Sequence, residues 1–353
     1  MSGPENVSQT DVARMAMVTQ ATVSMVFNGH KGISEATRQR VLKAAEALDY
    51  HPNRNIDARR LAYRQSKNNL RLKMVGYYWQ FRTVGTIMQN SFYQTIFLSI
   101  ADECSRQGLS LLLLNVDDDL EVELGRASMI DALILPSHPP EIVERAVKLV
   151  RNIPLVSLLM DHLGYCDVGI DDSRAMAMIY EHLLSKGHSR IGYVSPYLDF
   201  SGNARSHGLK RWNGFMEQCR KAGMHSNMST TWTSDNRAFE YRQEGARGFR
   251  TLWEKSPHPT AIVFYNDMMA LGALDEAARM GVDVPGDVSF IAIDDIPEAA
   301  RARVPLTTVS IELEEIGRLA VRTVNRFVME NYYDKTPVLI EMKLKERASV
   351  RKL

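Results

Sequence analysis

Two groups of side chains in this 353-residue chain have the types and spacing to recognise another molecule. The first is Gln20, Ala21, Ser24 and Met25, on the outward side near the start of a short segment whose Val23, Val26 and Phe27 recur at helical spacing. A glutamine amide can bond an adenine edge in bidentate fashion, and alanine or methionine can contact thymine methyls. Thr19, Thr22 and Asn28 beside them suit phosphate oxygens. The second group lies at the ends of short apolar runs: Tyr78 with Trp79, Asn115, Ser137, Asp161, Ser195, Asn266 with Asp267, and Asp294 with Asp295. Ligands of open parallel sheets sit beyond the carboxyl ends of the strands. A lining rich in acids, amides and aromatics and poor in Lys and Arg suits the hydroxyls of sugars or nucleosides better than phosphates. Asp267 and Asp172 also read as helix caps.

Catalytic signatures find little support. The chain has no G-x-x-x-x-G-K-[ST] loop, no G-x-G-x-x-G after a strand, no H-E-x-x-H and no G-x-S-x-G. His182 and His188 are six apart, wrong for one helical metal face, and no cofactor or metal is expected. Three cysteines (Cys104, Cys166, Cys219) lack metal spacing and are odd in number. With no apolar signal segment near the start, they point to a reducing cytosol. No apolar run approaches the roughly 18 residues a membrane span needs.

The elements that must position the first group form a small basic head. Charge is balanced overall, 43 Lys+Arg against 42 Asp+Glu, but residues 1 to 73 hold 12 basic and 6 acidic side chains. That asymmetry fits a head that meets polyanion and a body that does not, although a solvated surface would serve as well on charge alone. Ser8-Gln9-Thr10-Asp11 has capping-box form and predicts a helix from about Gln9 to Met17. Thr19 caps a second helix that Asn28-Gly29 ends, and Ser34 caps a third with Val41, Leu42, Ala45 and Leu48 in one stripe. Pro52 stops the chain's helical run at His51. Two short helices joined by a tight turn suit a helix-turn-helix, whose second helix lies in the major groove. Arg59, Arg60, Arg64, Lys67, Arg71 and Lys73 follow, in a segment read as ordering on DNA and neutralising phosphates.

Beyond residue 73, strand-length apolar runs alternate with helix-length stretches. Strands are expected at 74–78, 109–114, 132–135 and 155–159, then at 191–194, 261–265 and 288–293. Helices are expected at about 92–107, 121–130, 141–150, 173–186, 211–221, 245–254 and 267–280. Fully apolar strands alternating with helices mean parallel doubly wound sheets, and two such sets mean two lobes.

The head resembles the LacI/GalR (lactose-repressor) family in an ordered set of motifs: Thr10-Asp11-Val12-Ala13, Val18-Thr19-Gln20-Ala21-Thr22-Val23-Ser24, Val26-Phe27-Asn28-Gly29, Ile33-Ser34-Glu35-Ala36-Thr37-Arg38 and Tyr50-His51-Pro52-Asn53-Arg54. The body is similar to the same family, and through it to periplasmic sugar-binding proteins, at Ser185-Lys186-Gly187-His188, Arg211-Trp212-Asn213-Gly214-Phe215, Asn266-Asp267-Met268-Met269-Ala270-Leu271-Gly272, Val284-Pro285-Gly286-Asp287, Asp294-Asp295 and Pro305-Leu306-Thr307-Thr308. The resemblance adds Thr10, Tyr50 and Asn53 to the DNA-contacting set. It implies a hinge helix with a minor-groove leucine, where this chain has Arg59 and then Leu61, so Leu61 is the wedge if the hinge is shifted. Where members often carry arginine or another polar reader, this chain has Met25. The resemblance also implies effector contacts at Arg211, Asn266, Asp294 and, two residues out of expected register, Asp161; Phe92, Tyr93, Trp79 and Trp232 are candidate stacking faces, with a place in the core equally open.

The expected architecture is therefore an all-α helix-turn-helix domain (1–54), a linker (55–73) and a periplasmic-binding-protein-like α/β body (74–353). Lobe one is expected at about 74–168 and 309–335, lobe two at about 169–308 and 336–353. The function expected is a ligand-responsive, cytoplasmic repressor, binding a double-stranded operator as a homodimer and controlled by a small effector, a sugar first and a purine second. The competing reading is a solute-binding protein or sugar-modifying enzyme of similar fold. The chain's end has no leucine heptads, which favours a dimer over a tetramer.

Overall fold

The computed structural model describes residues 8–27, 32–48, 50, 73–79, 90–115, 129–136, 143, 146–147, 153–159, 165–196, 198, 207–223, 231–234, 240–330 and 334–353.

The head folds as its capping residues dictate. Helix α1 (Gln9–Ala16) starts at Ser8, whose hydroxyl accepts the amide of Asp11 while the Asp11 carboxylate accepts the Ser8 amide at 2.9 Å. Met17, in the left-handed region at φ 52°, ends it. Helix α2 (Gln20–Phe27) opens with the Thr22 amide on Thr19 Oγ1 at 3.2 Å. Helix α3 (Glu35–Ala47) opens with the Thr37 amide on Ser34 Oγ at 3.3 Å. Arg38 of α3 donates to the Val26 carbonyl at 3.2 Å, satisfying an acceptor in the last turn of α2. Val12, Ala16, Val23, Val26, Val41 and Ala45 close the core. The expected α3 stripe is corrected at one position: Leu42 is 41% exposed and Ala44 faces the core, because the buried arc runs 41, 44, 45, the i, i+3, i+4 pattern of a helix face.

The body holds two six-stranded sheets. In the first, β1 (Met74–Trp79), β2 (Ser110–Asn115), β3 (Ala132–Leu135), β4 (Leu155–Leu158), β5 (Cys166–Gly169) and β11 (Val338–Leu339) stand in the order β11-β5-β4-β3-β1-β2, all parallel. The second contains β6 (Ile191–Ser195), β7 (Thr231–Thr233), β8 (Ala261–Phe264), β9 (Ser289–Asp294), β10 (Thr307–Ser310) and β12 (Lys343–Lys345), ordered β12-β10-β9-β8-β6-β7 and parallel except for β12. Strands β3, β4, β6, β8 and β9 are buried throughout, which is why they read as apolar runs; β5 is equally buried but carries Asp167 and Gly169 and was not expected as a strand. Helices α4 (Ser91–Arg106) and α10 (Leu313–Glu330) pack together on the first sheet. On the second sheet α5 (Asp172–Ser185) pairs with α6 (His207–Lys221), and α7 (Tyr241–Trp253) with α8 (Asp267–Met280). A short α9 (Pro297–Arg301) follows β9.

Strand pairing redraws the expected lobe limits. Thr307–Ser310 belongs wholly to the second sheet and Val338–Leu339 to the first, because the backbone of each is held by a ladder there. The chain thus crosses between the sheets three times, after β5, after β10 and between β11 and β12. The helices expected at 121–130 and 141–150 fall almost entirely outside the described residues.

Candidate functional site

Of the side chains nominated for DNA, Thr10, Thr19, Gln20, Ala21 and Met25 are exposed, and Thr22 and Ser24 are partly so. Gln20, Ala21, Ser24 and Met25 recur at helical spacing on the side of α2 opposite the buried Val23 and Val26, giving one solvent-facing strip. Thr19 and Thr22 share a hydroxyl contact of 2.9 Å at the start of that helix. Tyr50 departs from its expected role. It is only 5% exposed and its ring meets Phe27 at 5.8 Å, so it closes the core of the head rather than facing outward. Asn28, Asn53, Arg59, Arg60 and Leu61 lie outside the described residues.

Part of the second group, Ser195, Asn266 with Asp267 and Asp294 with Asp295, stands where the strand-end rule places it, at the carboxyl ends of β6, β8 and β9. Arg211, on the second turn of α6, has a side chain only 5% exposed. Its Nε donates to Asp172 Oδ1 at 2.8 Å, its Nη1 to the Tyr265 carbonyl at 2.5 Å, and its Nη2 lies 3.6 Å from Asp294 Oδ1. The Tyr265 ring lies under the guanidinium, 4.7 Å from centroid to Cζ. His207, one turn before Arg211, places Nδ1 2.6 Å from Asp172 Oδ2 and Nε2 2.6 Å from the Leu159 carbonyl. Leu159 follows β4 of the first sheet, so this imidazole bridges the lobes.

These neighbours set the charges. Burial pushes the Asp172 carboxyl up, but the His207 and Arg211 charges overcome it and hold it down at about 2. Burial likewise opposes the charged forms of His207 and Arg211, and Asp172 more than offsets it, raising both. At Asp294 burial wins over Arg211 and His207 and lifts the carboxyl to about 7. Tyr93 of α4 and Tyr265 are each pushed up to about 12, mainly by burial and also by the Asp294 charge. Tyr241, whose ring is 6.1 Å from that of Tyr265, is raised for the same reasons. The phenols are therefore neutral at ordinary pH, able to donate hydrogen bonds and to present ring faces.

The structure thus brings Arg211, Asp294 and Tyr93 together, with Phe92 against Tyr93 at 5.2 Å between centroids. Asn266, 6% exposed, gives its Oδ1 to the Met269 amide at 3.0 Å as the cap of α8. The caps lie one residue before those expected: Asp171 caps α5 and Asn266 caps α8, which frees Asp172 for the Arg211 cluster. Tyr78 is corrected from ligand contact to core. It is fully buried with Leu114, Leu133 and Leu135 on the face of β1 opposite Tyr77. Trp232 lies against α7, where a Cβ at Gly248 would come within 2.7 Å of its ring. Asp161 lies outside the described residues. Asp172, His207, Tyr241 and Tyr265 were missed. The i, i+4 spacing of His207 and Arg211 was a signal that they share a helix face. A separate groove of about 460 Å³ beside α8, lined by Leu271, Leu274, Val282 and Val304 among others, contains none of this cluster.

A capped helix-turn-helix head and a two-lobed α/β body with a charged, tyrosine-lined cleft define the class of regulator built on a periplasmic-binding-protein scaffold. Residues 9–53 match the bacterial regulatory proteins of the lacI family, and residues 180–350 match the periplasmic binding protein-like domain. The chain therefore carries a LacI-family DNA-binding head joined to a periplasmic-binding-protein-like domain. It is 27% identical to the HTH-type transcriptional repressor PurR of Aliivibrio salmonicida (strain LFI1238), over 97% of this chain and 98% of that one. It is 28% identical to catabolite control protein A of Priestia megaterium, over 98% and 100% of the two chains. Among solved structures it is similar to the transcriptional regulator CelR in complex with cellobiose, with TM-score 0.68 and 25% identity over 98% of this chain and 100% of that one. Its fold also matches the lac repressor dimer bound to operator and the anti-inducer ONPF, with TM-score 0.65 and 21% identity over 98% and 100%.

Proposed function

We propose that the protein is a transcriptional repressor that binds a near-palindromic operator as a homodimer in the cytoplasm and answers to a small effector held in the Arg211 cleft. The observation that carries this reading is the pairing, in one chain, of the exposed strip Gln20, Ala21, Ser24, Met25 with a buried cluster in which Arg211 meets Asp172 and Asp294. The head is assigned to residues 1–54, the linker to 55–73 and the effector-binding and dimerising body to 74–353. Side chains on one face of α2 read base edges, and the hydroxyls at its start meet phosphates. Arg59, Arg60 and Leu61 carry the linker's contacts. Relatives along the whole chain are transcriptional regulators, which supports a binding function over an enzymatic one.

A sugar is the first choice of effector. The two oxygens of Asp294 suit a vicinal pair of hydroxyls, and neutral tyrosines at 93, 241 and 265 offer donors and ring faces. The similar CelR structure holds cellobiose, a sugar. A purine is the second choice, favoured by the near-parallel rings of Tyr241 and Tyr265, 29° apart. A ligand seated between the lobes alters their relative position, and with it the spacing of the two linkers on DNA. It does so by no more than its differential affinity for the two forms.

The test is a mobility shift on operator-like DNA with and without a panel of sugars and purines, on the native protein and Asp294→Ala. The variant is expected to lose the ligand response and keep its DNA affinity, since Asp294 is in the body and not the head. An Asp294 variant that still responds fully would remove that residue from the site.

A further inference from the structure

Asp267 is fully buried. It is the first residue of α8, but Asn266 already caps that helix, so capping does not account for its carboxyl. Its two oxygens reach elements distant in sequence. Oδ2 accepts the amide of Ile296 at 2.9 Å, and Oδ1 accepts the Thr308 hydroxyl at 2.6 Å.

Each contact has a consequence for the site. Ile296 ends the turn after β9, where Asp294 and Asp295 have φ of 128° and 60°. A non-glycine residue in such a conformation is strained and persists only where its surroundings hold it. Here the turn is held on one side by Asp267 on Ile296 and on the other by Arg347, which bonds Asp295 at 2.5 Å and the Leu306 carbonyl at 2.7 Å. Thr308 belongs to β10, the strand after which the chain crosses to α10 on the first sheet. One buried carboxyl therefore joins the start of α8, the turn that carries Asp294, and a crossing strand.

We propose that Asp267 is a positioning residue of the cleft: it fixes the turn so that the Asp294 carboxylate faces Arg211, and through Thr308 it ties that turn to the strand that leads between the lobes. The functional meaning rests on the reading of the Arg211 cleft as an effector site; the positioning itself does not.

The test uses the full chain and no ligand. Thr308→Val removes one hydroxyl and changes no charge; Asp267→Asn keeps the shape and removes the ionisable group, which burial and the Asp294 charge push well above the usual carboxylate range. Carbon-13 NMR of the Asp294 carboxyl gives its titration midpoint. The groups facing it are Arg211, His207, Asp172, Asp267 and the tyrosines 93, 241 and 265, and the His207 ring and the Asp267 carboxyl, both raised from their ordinary values, are followed in the same samples. Positioning is expected to appear as a shift of the Asp294 midpoint by about 0.5 pH units or more in Thr308→Val, and by at least as much in Asp267→Asn. An Asp294 midpoint that stays in place in Thr308→Val overturns the proposal, even if Asp267→Asn moves it, because the link would then be through-space charge alone. If Asp267→Asn does not fold, Thr308→Val decides. A midpoint shift together with no response to any sugar or purine would defeat the effector reading and leave the positioning intact.

Discussion

Arg211 directs all three edges of its guanidinium at the protein, and its contact with Asp294, at 3.6 Å, is the longest of them. Asp294 keeps its proton to about pH 7 in the fold against an ordinary 3.8, so the sign of its effect on stability can be worked out. Below about pH 4 the folded and unfolded chains both hold the proton. Between about 4 and 7 the unfolded chain has released it and the fold has not, so stability falls as pH rises through that window, by about 1.4 kcal/mol for each unit of difference in pKa, and is level above it. His207, raised by Asp172 against burial, adds a loss in the same direction that a variant at 294 retains. Asp294→Asn is therefore expected to lose less thermal stability than the native protein between pH 4.5 and 7.5, and parallel melting curves would refute the assignment. At the other site, Gln20→Ala is expected to cost about 1–3 kcal/mol of operator binding and to relax preference at one base step. Arg59→Ala is expected instead to weaken all sequences alike and flatten the salt dependence. Operator variants titrated at several salt concentrations separate the two, and equal, sequence-independent losses would end the division into readers and anchors.

At the scale of elements, α7 and α8 approach so closely that a Cβ at Gly245 would be 1.9 Å from the Met269 carbonyl oxygen, and one at Gly272 equally close to that of Arg242. This contact fixes the relative height of two helix starts, one carrying Tyr241 and the other Asn266 and Asp267. Gly272→Ala is expected to destabilise the body by about 3 kcal/mol, the upper end of overpacking costs, read as a lower denaturant midpoint; an unchanged midpoint would show that the helices part freely. These elements were largely legible beforehand. Capping residues at Ser8, Thr19 and Ser34 announced the three head helices, and apolar runs announced β1 to β4, β6, β8 and β9 within one residue at each end, but not β5, β7, β10 to β12 or helix α10. The strand-end rule nominated Asn266 and Asp294, and family resemblance nominated Arg211. What stayed hidden depended on pairing between distant segments. Asp172 and His207 meet Arg211 only because the chain crosses from β5 into α5 beside α6. Tyr78 was misplaced because alternation along β1 turns it into the core, a choice that depends on which helix covers which face.

For the whole molecule, one short recognition helix reads too few bases to single out a site in a genome, so two heads on successive major grooves are expected. Sedimentation of the protein at micromolar concentration with operator should show a dimer, and a monomer on DNA would be incompatible with the proposal. The order in which the chain crosses between its sheets bears on how the regulator is made. The head is complete once its third helix has left the ribosome. The first lobe is not, because α10, which covers its sheet, and β11, which closes its edge, are encoded after the entire run from β6 to β10. During synthesis the basic head therefore emerges long before the first sheet has its covering helix. A chain terminated before α10 carries the head without a covered first sheet.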